Sequence, residues 1–207
     1  MTITTGDTGT HRAVPARLAR PIAEYAIGLG FADVPDRELT QAELLALTAS
    51  IADTPQWWSD EVAFDDDERH YVCLYRDAAV DVWMLCWTPS NDTGWHDHDV
   101  SSGAVAVVSG RLVEHALAIG AGGVPTEVEA GRVFSFGPDH IHRLTGLAAE
   151  SVSIHAYSPP LWRMGQYSVD DAGVLHRHSV SYADELRPLE PEPDVRSART
   201  TARENPS

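Results

Sequence analysis

Val80-Asp81-Val82-Trp83-Met84-Leu85-Cys86-Trp87 is a short segment dense in valine, aromatic and other apolar residues. That is the texture of a buried β-strand. Similar segments surround it: Tyr71–Arg76 before, then Ala104–Val108, Arg111–Ala118, Arg132–Phe136 and Ser151–Tyr157. Gly, Pro, Asn or Asp separates several of them, and Ser109-Gly110 suits a tight hairpin turn. Many short strands with turn residues between them predict a mainly β fold, a barrel or sandwich.

The chain ahead of these strands reads differently. From Pro15, apolar residues Leu18, Ile22, Ala23 and Ala26 recur at helical spacing until Gly28 and Gly30 stop the run. A second helix opens at Thr40-Gln41-Ala42-Glu43, where the Thr hydroxyl and Glu carboxylate can satisfy each other's backbone donors. Leu44, Leu45, Leu47 and Ile51 follow, Pro55 closes the segment, and Asp65-Asp66-Asp67-Glu68 reads as a solvated loop. The expected organisation is a loose arm at 1–14, a helical lead-in at 15–68, a β barrel at 69–165, an irregular wrapping segment at 166–183 and a polar tail at 184–207.

Composition narrows the function classes. The 207 residues, 43% of them hydrophobic, suffice for one domain with a core. Fifteen Lys and Arg against 31 Asp and Glu leave a net charge of -16, which opposes sequence-independent binding to nucleic acid or an anionic membrane. Two cysteines, Cys73 and Cys86, make no disulfide framework and suit a reducing compartment. The first residues show neither a cationic start with an apolar run nor a membrane span, so a cytoplasmic protein is expected, a monomer or small homo-oligomer.

Histidine is the unusual residue, with ten copies. His96 and His98 stand at i and i+2 in Trp95-His96-Asp97-His98-Asp99, and on extended chain both project to one face, about 6–7 Å apart along the backbone. That spacing lets two imidazoles meet one cation. His140-Ile141-His142 follows the strand Arg132–Phe136 and could complete a three-nitrogen face. His142 is the better placed, because Arg143-Leu144 lead into the next hairpin; His140 reads as an exposed turn residue. On Ser151–Tyr157, period two turns Val152, Ile154 and Ala156 to a packed side and Ser153, His155 and Tyr157 to the other, where they can form a hydrogen-bonded row. Three imidazoles without thiolate differ from a structural zinc site and leave positions open for a substrate and dioxygen. Iron(II) suits that use; zinc, nickel, manganese or copper can occupy the same nitrogens.

These residues resemble the cupins, and within them the cysteine dioxygenase-type thiol dioxygenases. The first cupin motif matches at His96-Asp97-His98, with Gly103 in place of its glutamate and Gly110 closing it; the second matches at Gly131, Pro138 and His142, with Gly146 in place of its asparagine. The more specific likeness is Ser153-Ile154-His155-Ala156-Tyr157-Ser158-Pro159-Pro160, which is similar to the family's S-x-H-x-Y-S-P-P segment. The resemblance spans roughly residues 70–165. It implies a double-stranded β-helix, or jelly-roll, barrel with N-terminal helices, and His96, His98 and His142 as ligands of a non-haem iron(II). It also implies Tyr157 orienting the thiol and dioxygen, with His155 and Ser153 behind it, and conversion of a small thiol, cysteine first, to its sulfinic acid.

The chain departs from that pattern at two points. Some relatives carry a Cys joined to the active-site Tyr; here the position is Gly103. The family's carboxylate-binding arginine falls at Tyr71 or Cys73, leaving Arg69 and Arg76 as substitutes. Strict alternation puts 69, 71, 73 and 75 on one face and 70, 72, 74 and 76 on the other, which favours Arg69 unless a bulge intervenes.

Overall fold

The computed structural model describes residues 19–118 and 122–181, so the expected arm and tail lie outside the described residues. Strands β1 (Arg20–Pro21), β2 (Tyr71–Arg76), β3 (Asp81–Trp87) and β4 (Trp95–Asp97) come first. Then follow β5 (Ser102–Ser109), β6 (Arg111–Ala118), β7 (Gly122–Glu129) and β8 (Arg132–Phe136). The last are β9 (His142–Gly146), β10 (Ser151–Ser158), β11 (Arg163–Val169) and β12 (Leu175–Ser181). They form two six-stranded sheets, ordered β1-β8-β5-β10-β3-β2 and β12-β11-β4-β9-β6-β7, with every pairing antiparallel. This is the double-stranded β-helix expected from the sequence.

Among the described residues one α-helix lies between β1 and β2. It is α1 (Gln41–Ala52), and its start is the capping box read from the sequence: Glu43 N donates to Thr40 Oγ1 at 3.3 Å and Thr40 N donates to Glu43 Oε2 at 2.8 Å. Leu44, Leu47 and Ile51 bury completely or nearly so against the outer face of the first sheet, where Val82, Met84, Cys86, Ala104, Ala106, Val152, Ile154 and Ala156 meet them. Each such buried aliphatic side chain contributes about 1.5–3 kcal/mol. The alternate residues of those strands, Trp83, Leu85, Trp87, Val105, Val107 and Tyr157, turn inward and pack with Phe134, Phe136, Leu144 and Met164. All of β10 is buried because α1 covers one face and the barrel interior the other.

Three expectations are corrected. The earlier of the two N-terminal helices is absent among the described residues: Arg20–Pro21 pairs with Arg132 and Val133 as a strand, and a single 3-10 turn, Ile22–Glu24, follows. Pro21 is extended there, and Ile22 N donates to Gly131 O at 2.8 Å, so sheet pairing overrides helical spacing. The wrapping segment is regular: β11 and β12 form an antiparallel hairpin that extends the second sheet past residue 165. Its polar alternation, Leu175-His176-Arg177-His178-Ser179, hides the strand from an apolar pattern. Finally, β2 carries a bulge between Cys73 and Tyr75. Tyr71 opposes Leu85, Cys73 opposes Trp83 and Arg76 opposes Asp81, so the extra residue returns Arg76 to the inner face. Among the described residues no helix is long and apolar enough to cross a membrane.

Candidate metal centre

Neighbouring strands β4 and β9 bring the histidines together. His96 lies directly opposite His142 in the ladder, and His98 follows β4 by one residue. The three ring centroids are 4.6 Å (His96–His142), 4.9 Å (His96–His98) and 5.0 Å (His98–His142) apart. One nitrogen from each lies within 4.8 Å of the others, all three residues being buried. Their hydrogen bonds set the tautomers. His96 Nδ1 donates to Gly94 O at 3.1 Å, and His142 Nδ1 donates to Glu114 Oε1 at 3.0 Å, so each presents Nε2 as a lone pair.

Buried nitrogens without partners are costly, about 1–3 kcal/mol each. His142 Nε2 and both ring nitrogens of His98 have no hydrogen-bond partner among the described residues. A cation shared by the three rings would take up His142 Nε2 and one of the two His98 nitrogens, and the donor set fits one. Burial, together with the neighbouring imidazoles, holds His98 well below the usual histidine range. Burial likewise pushes His142 down to about 3, against the pull of the Glu114 carboxylate. Both rings are therefore neutral at pH 7, the form that ligates metal.

Glu114 is a residue the sequence reading missed. It sits on β6, buried, and its Oε1 accepts from both His142 and His140, the latter at 2.8 Å. Burial would raise its pKa, but those two hydrogen bonds bring it down to about 2. His140 is accordingly a partly buried partner of Glu114, with 10% of its side chain exposed, and not the exposed turn residue expected. The available signal was a carboxylate on the face of β6 that also carries Leu112, which is fully buried.

Asp97, between His96 and His98, faces the opposite way and anchors the C-terminal hairpin. Arg177 donates to it through Nε and Nη2 at 2.7 and 2.8 Å, Tyr167 Oη at 2.6 Å and Gly165 N at 3.1 Å. Burial opposes its charge, yet these donors hold the carboxyl well below the usual range.

The opposing sheet supplies the polar row. Ser153, His155 and Tyr157 line the inner face of β10, as period two required. Ser153 Oγ lies 2.7 Å from His155 Nε2, and His155 Nδ1 lies 3.1 Å from Tyr157 Oη. The Tyr157 ring stacks on His98 with centroids 5.3 Å apart, which joins the row to the histidine cluster. Phe136 contacts His98, His142 and His140 and forms an apolar wall. Gly103 stands opposite both Tyr157 and Phe136 in the ladders, and a side chain there would run into the Phe136 ring.

The two arginines differ. Arg76 pairs with the fully buried Asp81 at 2.8 Å and lies over Trp83 and Trp162. Arg69 is 9% exposed, lies 4.7 Å over the Trp87 ring, and makes no ion pair among the described residues; its buried Nε has no partner there. Cys73 and Cys86 are both free thiols, as expected.

Comparison with known proteins follows this geometry. No functionally curated protein matches the chain. A conserved protein of uncharacterized function with a double-stranded β-helix domain, from Klebsiella pneumoniae subsp. pneumoniae, is 17% identical with a TM-score of 0.43, over 49% of this chain and 80% of that one. A cupin superfamily protein from Desulfitobacterium hafniense is 8% identical with a TM-score of 0.43, over 49% and 87% of the two chains. Residues 30–170, which hold both sheets' site strands and all three histidines, match the family described as cysteine dioxygenase type I, and the chain belongs to that family.

Proposed function

We propose that this protein is a non-haem iron(II) thiol dioxygenase, with His96, His98 and His142 as the metal ligands and L-cysteine as the first candidate substrate. The observation that carries the reading is the convergence of three buried imidazoles, two of them (His98 and His142) with orphaned nitrogens, beside the Ser153–His155–Tyr157 row in a chain of this family. Iron(II) held there would supply the redox chemistry by which dioxygen oxidises the thiol. The balance is R–SH plus O2 giving R–SO2H, so both oxygen atoms end on sulfur and no external reductant is needed.

The protein's own groups then have separable tasks. Tyr157 offers its hydroxyl to the reactants, with His155 and Ser153 fixing its position. Phe136 and the inner tryptophans keep bulk water out, which strengthens every polar contact inside. Arg69 is a cation available to an acid group of the substrate, because Arg76 is already occupied by Asp81. We place the enzyme in the cytoplasm, where Cys73 and Cys86 and a thiol substrate stay reduced.

A second reading keeps the site and changes the substrate. It is favoured by Tyr71 and Cys73 on the inner face, one of which stands at the position where the resemblance leads us to expect an arginine. One experiment separates the two: metal analysis of the purified protein, then oxygen uptake with L-cysteine, cysteamine and 3-mercaptopropionate. Iron with uptake on L-cysteine and cysteine sulfinic acid as product is expected. Uptake on another thiol alone selects the second reading, and no uptake on any thiol by iron-loaded protein overturns both.

A further inference from the structure

The Ser153–His155–Tyr157 row can carry its hydrogen bonds in two directions. In one, Ser153 donates to His155 Nε2, His155 Nδ1 donates to Tyr157 Oη, and Tyr157 keeps its proton to give. In the other, Tyr157 donates to Nδ1 and His155 Nε2 donates to Ser153. The spacings of 2.7 and 3.1 Å fit both.

A fourth side chain removes the ambiguity. Trp87 Nε1 lies 2.8 Å from Ser153 Oγ, and an indole N–H can only donate. Trp87 and Ser153 are fully buried and His155 is 2% exposed, so no proton in this chain falls back on bulk water. With the row running from Tyr157 to Ser153, the serine oxygen would accept twice and its own proton would meet no acceptor among the described residues. With the row running from Ser153 to Tyr157, the serine proton is used and the one O–H left to place is that of Tyr157, at the end of the row that stacks on His98, so no polar hydrogen is stranded at its fully buried end.

We propose that Trp87 is a positioning residue whose indole N–H sets the direction of the row, holding His155 as the Nδ1–H tautomer and leaving Tyr157 a hydrogen-bond donor. Arg69 reinforces this from above. Its guanidinium lies 4.7 Å over the Trp87 ring, where a cation draws on the π electrons and makes the N–H a better donor. Burial first, and the Arg69 charge second, keep His155 far below the usual range, so the imidazole is neutral and has one N–H to place. The direction rests on these five side chains alone; its use in the reaction rests on the dioxygenase reading.

The test is 15N NMR of the full chain labelled at histidine, recorded after chelator treatment and again with zinc(II) added. His155 is expected to show the Nδ1–H pattern in both; the Nε2–H pattern in the wild type overturns the proposal. Replacing Trp87 with 3-benzothienylalanine keeps the ring bulk and substitutes sulfur for N–H. Loss of the single Nδ1–H pattern is expected there, and in Trp87→Phe. Retention of it in the folded analogue overturns the role of Trp87. A tautomer result as expected, in a protein that oxidises no thiol, would sink the proposed function and leave this inference standing.

Discussion

Glu114 Oε1 accepts a hydrogen bond from Nδ1 of His142 at 3.0 Å, on the side of the ring opposite the orphaned Nε2. A carboxylate in that place fixes the tautomer, pins the ring and makes the distal nitrogen more basic. The same oxygen holds His140, so one buried charge organises both histidines of the H-x-H at 140–142 while offering only one of them to the centre.

Removing that carboxylate should therefore weaken the metal site without dismantling it. Glu114→Ala is expected to lower metal affinity about 10–100-fold, the scale of lost contacts behind a metal ligand. His140→Ala should retain metal, and His142→Ala should lose it. Competition titration against a chelator measures all three. Metal loss in His140→Ala with full retention in His142→Ala would reverse the assignment.

Tyr157→Phe deletes one hydroxyl and almost no volume. The ring remains stacked on His98 and packed in the inner core, so folding and metal content should match the wild type. Turnover on the best thiol should fall about 10–100-fold. Equal turnover across the thiol panel would remove Tyr157 from the reaction.

Strands β2, β3, β5, β6, β8 and β10, the capped helix, the polar row and the histidine motifs were legible because each is local. The Thr40–Glu43 capping box spans one turn, Ser153, His155 and Tyr157 obey a period of two on β10, and His96 and His98 stand two apart at the end of β4. What stayed hidden depends on pairing across the chain. Glu114 meets His142 from 28 residues away, Trp87 meets Ser153 from 66, and Arg177 meets Asp97 from 80. The bulge at Cys73–Tyr75 is a property of the β2–β3 ladder, and it changed which face Arg76 occupies. The first helix failed for the same reason: a backbone bond to Gly131, more than a hundred residues on, outweighed the spacing of Ile22, Ala23 and Ala26.

Gly103 answers to two rings at once. It lies opposite Tyr157 on one side and Phe136 on the other, and a Cβ there would come within 3.0 Å of Tyr157 Cδ1 and closer to the Phe136 ring. Gly103→Ala should cost about 1–3 kcal/mol through overpacking. In a domain of this size that is a fall in Tm of about 2–4 °C per kcal/mol. Gly103→Cys should be no better tolerated, because Phe136 fills the space the sulfur needs. A calorimetric scan showing unchanged Tm for both variants would mean that the Phe136 ring is free to move aside.

Substrate choice turns on Arg69. A carboxylate brought into the barrel needs a cation, since leaving it unpaired and desolvated costs several kcal/mol. Both arginines face inward, because the β2 bulge puts Arg76 on the same side as Tyr71 and Cys73. They are not equivalent. Arg76 neutralises Asp81, which is fully buried, so Arg76→Ala should act chiefly on stability, at about 1–3 kcal/mol for the stranded carboxylate. Arg69 lies over Trp87 with its buried Nε unpartnered and makes no ion pair among the described residues; its charge reaches the Asp92 carboxylate only at a distance, and Arg143 already pairs with that group. Arg69→Ala should lower kcat/KM for L-cysteine about 10–100-fold, the equivalent of one hydrogen bond to a charged group at about 1.5–3 kcal/mol. Cysteamine, which has the thiol and amine of cysteine but no carboxylate, should lose far less. The decisive quantity is the ratio of kcat/KM for the two thiols in wild type, Arg69→Ala and Arg76→Ala. A ratio that falls only in Arg69→Ala assigns the acid group to Arg69. If cysteamine is oxidised as well as cysteine and neither variant moves the ratio, no arginine binds a carboxylate here and the substrate is a thiol without one.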